Sequence, residues 1–161
     1  MKKIFRYIAL ALVAAMPVMA LSSCDPDPLD EVRTDSSKYV APVVEPVQEI
    51  RIDKAAYDAN KNVTFTWKAA DFGASTSVLY TIVLKSSSKE QVLSADVTGT
   101  SFTIDSKTLY DRLTGSEYLG LQAGTETTIS VYVSATVGLD FDVLKSEPVS
   151  VKCYCEDGLK N

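Results

Sequence analysis

Apolar and polar residues alternate with a period of two in seven short segments that begin at about residue 48. The segments are rich in β-branched residues, and their apolar positions are Ile50 and Ile52; Val63, Phe65 and Trp67; Tyr80, Ile82 and Leu84; Leu93, Ala95 and Val97; Phe102 and Ile104; Ile129, Val131, Val133 and Ala135; and Val149, Val151 and Cys153. Because successive side chains of a strand point to opposite faces, each segment buries one face. The pattern predicts an all-β fold, a single antiparallel β-sandwich of about seven strands.

Two segments add detail to this sandwich. The stretch 79–84 is apolar on both faces, which predicts a central strand. The stretch 106–113 departs from the alternation and has apolar residues at 109, 110 and 113. Asp105 or Ser106 would cap it and Gly115 would end it, so we predict one short helix that links the two sheets.

The first 23 residues have the order of a secretory signal peptide. Three basic residues precede an apolar run over residues 8–20, which is far shorter than the roughly 20 residues of a membrane span. Leu21-Ser22-Ser23-Cys24 follows and resembles the lipobox of bacterial lipoproteins, whose cysteine becomes the acylated first residue of the mature chain. The resemblance implies lipidation of Cys24 and removal of residues 1–23. The alternative is an ordinary cleaved signal followed by a chance cysteine.

Residues 24–47 predict a lipidated, flexible tether. The segment begins with prolines and acids, is poor in large apolar residues and adds Pro42 and Pro46. The acidic cluster after Cys24 also resembles the signal that exports some lipoproteins to the outer face of the outer membrane, the alternative being a solvated linker. We place the sandwich domain at residues 48–155 and a C-terminal tail at 156–161.

Charge and residue types restrict the function classes. Three of the 16 basic residues and none of the 21 acidic ones lie in the signal segment, which leaves the mature chain a formal net charge of −8. This acidity argues against nucleic acid as a partner. The chain has no histidine, so it lacks the usual general base and the commonest metal ligand. We expect no enzymatic activity and no cofactor, and we interpret the paired acids Asp140 and Asp142 as a solvated hairpin.

Cys153 and Cys155 lie two residues apart on the last predicted strand, so their side chains face the same side. They are either two small apolar residues near the strand end or a strained disulfide of an oxidising compartment. Two thiolates without further Cys or His do not complete a tetrahedral metal site, so no metal is predicted.

The order of motifs resembles fibronectin type III and immunoglobulin-like sandwiches. Trp67 lies in the stretch 64–73 that leads to Tyr80-Thr81-Ile82, and the turn 121–126 precedes a long alternating strand. Together with the lipobox and the acidic segment, this order is similar to the amino-terminal domain of SusE-type outer-membrane lipoproteins. One departure is Thr127, which stands where fibronectin-like domains often place a corner tyrosine.

The resemblance implies a lipid-anchored, surface-exposed outer membrane protein that works with other components of a starch-type glycan-uptake complex. SusE-type proteins continue into further sandwich domains that bind starch, whereas this sequence ends at Asn161. We therefore expect an accessory or structural module that acts through protein contacts and inherits no starch-contact residue. The alternative is a small lipoprotein that binds oligosaccharide through exposed aromatic rings.

Tyr132 and Tyr154 are the candidate glycan contacts under that alternative. Both fall on the polar faces of their strands, where a ring can stack on a sugar. The competing interpretation is that each ring covers the sheet edge or packs on the tether. Trp67 follows the alternation of the core positions and is predicted to be buried.

The lipobox generates the first testable prediction. Replacing Cys24 with Ala removes the acylated thiol, so the variant should accumulate as an uncleaved or soluble protein, as judged by membrane fractionation and intact mass. Two or three acyl chains give stable anchoring where one would be marginal. A Cys24→Ala variant that keeps the wild-type mass and still fractionates with the outer membrane would contradict lipidation at this residue.

Overall fold

A computed structural model describes residues 35–138 and 142–160. Within these residues the chain forms nine strands and two α-helices, after a single 3₁₀ turn at Ser36–Lys38. The strands are β1 (Val43–Val44), β2 (Ile50–Ile52), β3 (Asn62–Lys68), β4 (Leu79–Lys85), β5 (Glu90–Val97), β6 (Ser101–Asp105), β7 (Thr127–Thr136), β8 (Leu144–Lys145) and β9 (Val149–Cys155). The helices are α1 (Lys54–Asp58) and α2 (Ser106–Thr114).

The strands form two sheets, which confirms the predicted all-β sandwich. The small sheet has the order β1-β3-β6, and the large sheet has the order β2-β9-β7-β4-β5 with β8 also paired to β7. Each of the seven predicted segments is a strand, and β4 lies inside the large sheet as its two apolar faces indicated. The antiparallel prediction is wrong at one pair, because β2 runs parallel to β9. No hairpin joins these two strands, so nothing in their connection requires opposite directions.

The core lies between the sheets and is built from the inward positions of the alternating strands. Trp67 is 3% exposed, which confirms it as a core residue, and its ring centroid lies 5.5 Å from that of Tyr80. The Tyr80 hydroxyl accepts a hydrogen bond of 3.0 Å from the backbone N–H of Ala70. A side chain of β4 in the large sheet thus holds the loop that follows β3 of the small sheet.

Strand β5 departs from the predicted alternation. Its register with β4 shifts twice, so that Ser94 lies opposite Ile82 and Val97 lies opposite Tyr80. Each shift places an extra residue in β5, and each extra residue reverses the alternation beyond it. Ala95, predicted to be inward, is exposed, whereas Leu93 and Val97 pack against the core. Asp96 adopts a positive φ of 58° between them.

Helix α2 confirms the predicted link between the sheets, since it joins β6 of the small sheet to β7 of the large one. Its cap is Asp105, whose Oδ1 accepts a hydrogen bond of 2.9 Å from the backbone N–H of Thr108. This bond and a second one of 2.8 Å from the Thr108 hydroxyl to Oδ2 hold the pKa of Asp105 below its usual value. Leu109 and Leu113 anchor the helix in the core, where neither is exposed to solvent. Helix α1 was not predicted, although Asp53 is an N-cap signal before it.

The folded domain begins earlier than residue 48. Strand β1 lies in the range assigned to the tether and pairs antiparallel with β3. Val40 and Asp71 exchange backbone hydrogen bonds of 2.8 and 2.9 Å, and the Tyr39 ring lies 5.2 Å from that of Phe72. Residues 39–47 therefore belong to the sandwich. A two-residue strand between Pro42 and Pro46 is too short to show an alternating pattern.

The described part of the predicted C-terminal tail also contacts the domain. The backbone N–H of Glu156 donates to the carbonyl of Ile52 at 2.9 Å, and Lys160 forms a 2.7 Å ion pair with Asp111. Tyr110 donates its hydroxyl hydrogen to the Glu156 carbonyl at 3.0 Å. These bonds hold residues 156–160 along α2.

One edge of β7 carries two different partner strands. β9 pairs with its first half and β8 with Ser134 and Ala135. Between them the chain leaves the ladder at residues 146–148, where Pro148 has no N–H to donate. Ser146 bridges the break, because its N–H donates to the Val133 carbonyl at 2.9 Å and its Oγ accepts from the Val133 N–H at 3.0 Å.

This bridge generates a stability prediction. Ser146→Ala should lower the free energy of unfolding by about 1–3 kcal/mol, because it leaves the buried Val133 N–H without its acceptor. The control is Ser150→Ala on the exposed face of β9, which should change stability by less than about 0.5 kcal/mol. Urea denaturation of both variants measures the difference. Equal stabilities would show that Ser146 does not close the ladder.

Candidate functional site

Tyr132 lies on the face of the large sheet that points away from the core, which we call the outer face. Its neighbours Val131 and Val133 are fully buried on the opposite face, while Tyr132 is half-buried. Beside it, the departure of the chain from the ladder leaves a hollow of about 360 Å³, which we call the Tyr132 hollow. Its lining includes Lys85, Glu90, Ser130, Tyr132, Lys145 and Ser146.

The polar groups of the Tyr132 hollow are linked in a short chain. The Tyr132 hydroxyl donates to Glu90 Oε2 at 3.2 Å, and Lys85 Nζ lies 2.8 Å from Glu90 Oε1. The hydrogen bond from Lys85 holds the pKa of Glu90 below its usual value, and burial raises the pKa of Tyr132. Glu90 is therefore ionised and Tyr132 protonated at neutral pH. The ammonium of Lys145 lies 5.8 Å from the Tyr132 ring centroid. This arrangement offers charges and hydrogen bonds to a ligand.

Tyr154 lies on the same outer face, on β9. It is half-buried, and the Arg51 guanidinium carbon, directly across the β2–β9 pair, lies 4.5 Å from its ring centroid. Lys152 pairs with Thr128, so Tyr154 lies about six residues from Tyr132 along the strands, or roughly 20 Å. The structure places both predicted glycan contacts on one face but does not bring them together.

Cys153 and Cys155 both face the core as free thiols and are 1% and 3% exposed. A disulfide between them does not form in the structure. Residues two apart on an extended strand carry parallel side chains about 7 Å apart, whereas a disulfide requires Cβ atoms about 4 Å apart. Burial raises the pKa of each thiol to about 12. The two cysteines act as small apolar residues of the core.

The remaining sequence candidates lie apart from the hollow or outside the described residues. Cys24 and Asp140 are outside them, and Asp142 is exposed. In the part of the chain that the structure describes, no cluster of three or more His, Cys, Asp or Glu could hold a metal ion. No helix in residues 35–138 and 142–160 is long and apolar enough to cross a bilayer.

The charged residues around Tyr132 were not among the predicted site residues. Lys85 and Glu90 flank the hairpin between β4 and β5 and meet because they are directly paired across it. A Lys and a Glu at outward positions of two strands that are joined by four residues indicate a cross-strand ion pair, and this pattern is visible in the sequence. Lys145 had no such signal, since its position depends on the pairing of β8 with the far end of β7.

The fold is a small immunoglobulin-like β-sandwich, and a hollow lies on the outer face of its large sheet. A family model described as SusE outer membrane protein matches residues 27–134, which is more than half of the chain. The chain therefore belongs to the SusE outer membrane protein family, as the motif order indicated. Membership supports an outer membrane location and a starch-utilisation type of system. No curated protein matches the chain.

The buried thiols generate a pH prediction. Unfolding returns the pKa of both from about 12 to the ordinary value of 9.0, so above pH 9 the unfolded chain releases protons that the folded chain keeps. Stability should therefore be unaffected by the thiols below pH 9 and should fall between pH 9 and 12, by at most roughly 1.4 kcal/mol per thiol and pH unit.

Urea denaturation at pH 8 and pH 10.5 measures this loss. The matched variant replaces both Cys153 and Cys155 with Ala, which lowers stability at both pH values but should flatten the alkaline decline. An identical decline in wild type and variant would assign the loss to other groups.

Proposed function

We propose that this chain is a non-enzymatic, lipid-anchored accessory module of a starch-type polysaccharide uptake system at the cell surface, and that it acts through protein contacts. Cys24 carries the lipid after residues 1–23 are removed. The tether then runs from Cys24 to about residue 38, since residues 39–47 are part of the sandwich. Membership of the SusE outer membrane family supports the location and the type of system.

The observation that most supports protein contacts is the state of the two candidate tyrosines. A ring that stacks on a sugar offers it an open face, but each of these rings already has a cation over it, Lys145 at 5.8 Å and Arg51 at 4.5 Å. The two rings also lie roughly 20 Å apart along the sheet, so they do not form one continuous platform. A neutral glucan chain requires an open ring face and a continuous aromatic platform, and the two tyrosines offer neither.

A specific observation favours a second candidate function, a small glycan-binding lipoprotein. The Tyr132 hollow has a volume of about 360 Å³, which is within the range of small-molecule sites. Lys145 is exposed, so its side chain can move from the ring when a ligand enters. Tyr132 is the better supported of the two candidate contacts on these grounds, because it lines this hollow.

Calorimetry with maltooligosaccharides tests the main proposal. The full chain is used, purified in detergent from the outer membrane, because a fragment that begins at residue 48 lacks β1. We expect no binding at concentrations up to about 1 mM, since no neutral-sugar platform is open. Micromolar binding that disappears in Tyr132→Ala or Tyr154→Ala would contradict the proposal and favour the glycan-binding alternative.

The same preparation tests for the protein contacts. Cross-linking in intact outer membrane before solubilisation should link the chain to one defined membrane protein, identified by mass spectrometry. A chain that is recovered without any cross-linked protein would contradict an accessory role.

A further inference from the structure

The charge in the Tyr132 hollow is unbalanced. Of the two lysines that line it, Lys85 is paired with Glu90 at 2.8 Å. Within residues 35–138 and 142–160, no carboxylate lies within 4.0 Å of Lys145 Nζ. The hollow is therefore locally cationic, although the whole chain has a formal net charge of −5. Lys145 acts on Glu90 only at longer range and contacts the Tyr132 ring. Two lysines and one carboxylate leave a positive charge in the hollow, which attracts an anionic group.

A buried hydroxyl in the same hollow has a hydrogen to donate. Ser146 is 7% exposed, and its Oγ accepts the Val133 N–H at 3.0 Å. Its own O–H has no acceptor among the described residues. A serine hydroxyl supplies one donor as well as two acceptor sites, and buried donors are nearly always satisfied. A ligand oxygen in the hollow would satisfy this donor.

The aromatic surface of the hollow is held in place before any ligand arrives. Tyr132 is bonded through its hydroxyl to Glu90, which is itself bonded to Lys85. The ring therefore has a set position on the sheet, which lowers the entropy cost of packing a ligand against it. The ionised Glu90 has further acceptor sites for ligand hydroxyls, since a carboxylate accepts about four hydrogen bonds.

From these features we infer that the Tyr132 hollow binds a carboxylate-bearing saccharide. The carboxylate pairs with Lys145, the C–H face of the sugar ring packs on Tyr132, and sugar oxygens bond to Ser146 and Glu90. The inference rests on the second candidate function, glycan binding at Tyr132, and names its ligand class as acidic. A neutral sugar leaves Lys145 unpaired, so the site discriminates by charge. Because Lys145 is exposed, the discrimination is modest and sensitive to salt.

Calorimetry of the full chain in detergent tests this with two probes, trigalacturonate and its fully methyl-esterified form. The ester keeps the rings and linkages and removes the charges. We expect the acid to bind about fivefold or more tightly than the ester, and the difference to shrink as ionic strength rises from about 0.05 to 0.5 M. Lys145→Gln should abolish the preference, and Tyr132→Ala should abolish binding of both probes.

Lys152→Gln is the matched control. Lys152 lies on the same outer face but pairs with Glu126 at 3.5 Å outside the hollow, so its loss should leave the preference intact. Melting temperatures of the variants report whether each is folded. Equal binding of acid and ester would overturn the acidic ligand class while supporting a glycan site. An equal loss in the Lys145 and Lys152 variants would overturn the site in favour of general charge attraction. Absence of binding by either probe would overturn the site and leave the protein-contact function standing.

Discussion

The strict alternation along β7 is the constraint on which both the core and the candidate site depend. Its inward residues, from Ile129 to Ala135, are at most 1% exposed and pack between the sheets. Its outward residues include Ser130 and Tyr132, which line the hollow. A slip of one residue in register would exchange the two sets and bury the polar groups, at a cost of several kcal/mol. The burial of one face therefore determines which side chains the other face presents.

The hollow exists because β7 does not keep a single partner along this edge. Continuous pairing with one strand would cover the outer face evenly with side chains from both strands. Instead the chain leaves the ladder between β8 and β9, and Ser146 satisfies the backbone groups of Val133 that the departure exposes. The same serine lines the hollow, so the residue that repairs the ladder also supplies a polar group to the site. Ser146 would therefore serve both the stability of the sheet and the proposed binding site.

Backbone bonds hold the N-terminal end of the domain to both sheets. β1 joins the small sheet through β3, and β2 joins the large sheet through its parallel pairing with β9. The Val40–Asp71 bonds extend this attachment towards the start of the described residues. A tether from the membrane would thus enter a part of the domain that is fastened at several points, which supports the proposed role of a module held at the surface while it contacts a partner.

The sequence by itself determined the seven main strands, the helix α2 and the burial of Trp67, because period-two alternation and capping residues are local properties. It also indicated the SusE family and the outward positions of Tyr132 and Tyr154. It did not reveal β1 or the parallel β2–β9 pair, since two- and three-residue strands are defined by partners distant in the chain. Nor did it reveal the shifted faces of β5, whose extra residues are detectable only against β4. The meeting of Lys145 with Tyr132 was decided by the tertiary structure alone, because it requires β8 to pair with the far end of β7.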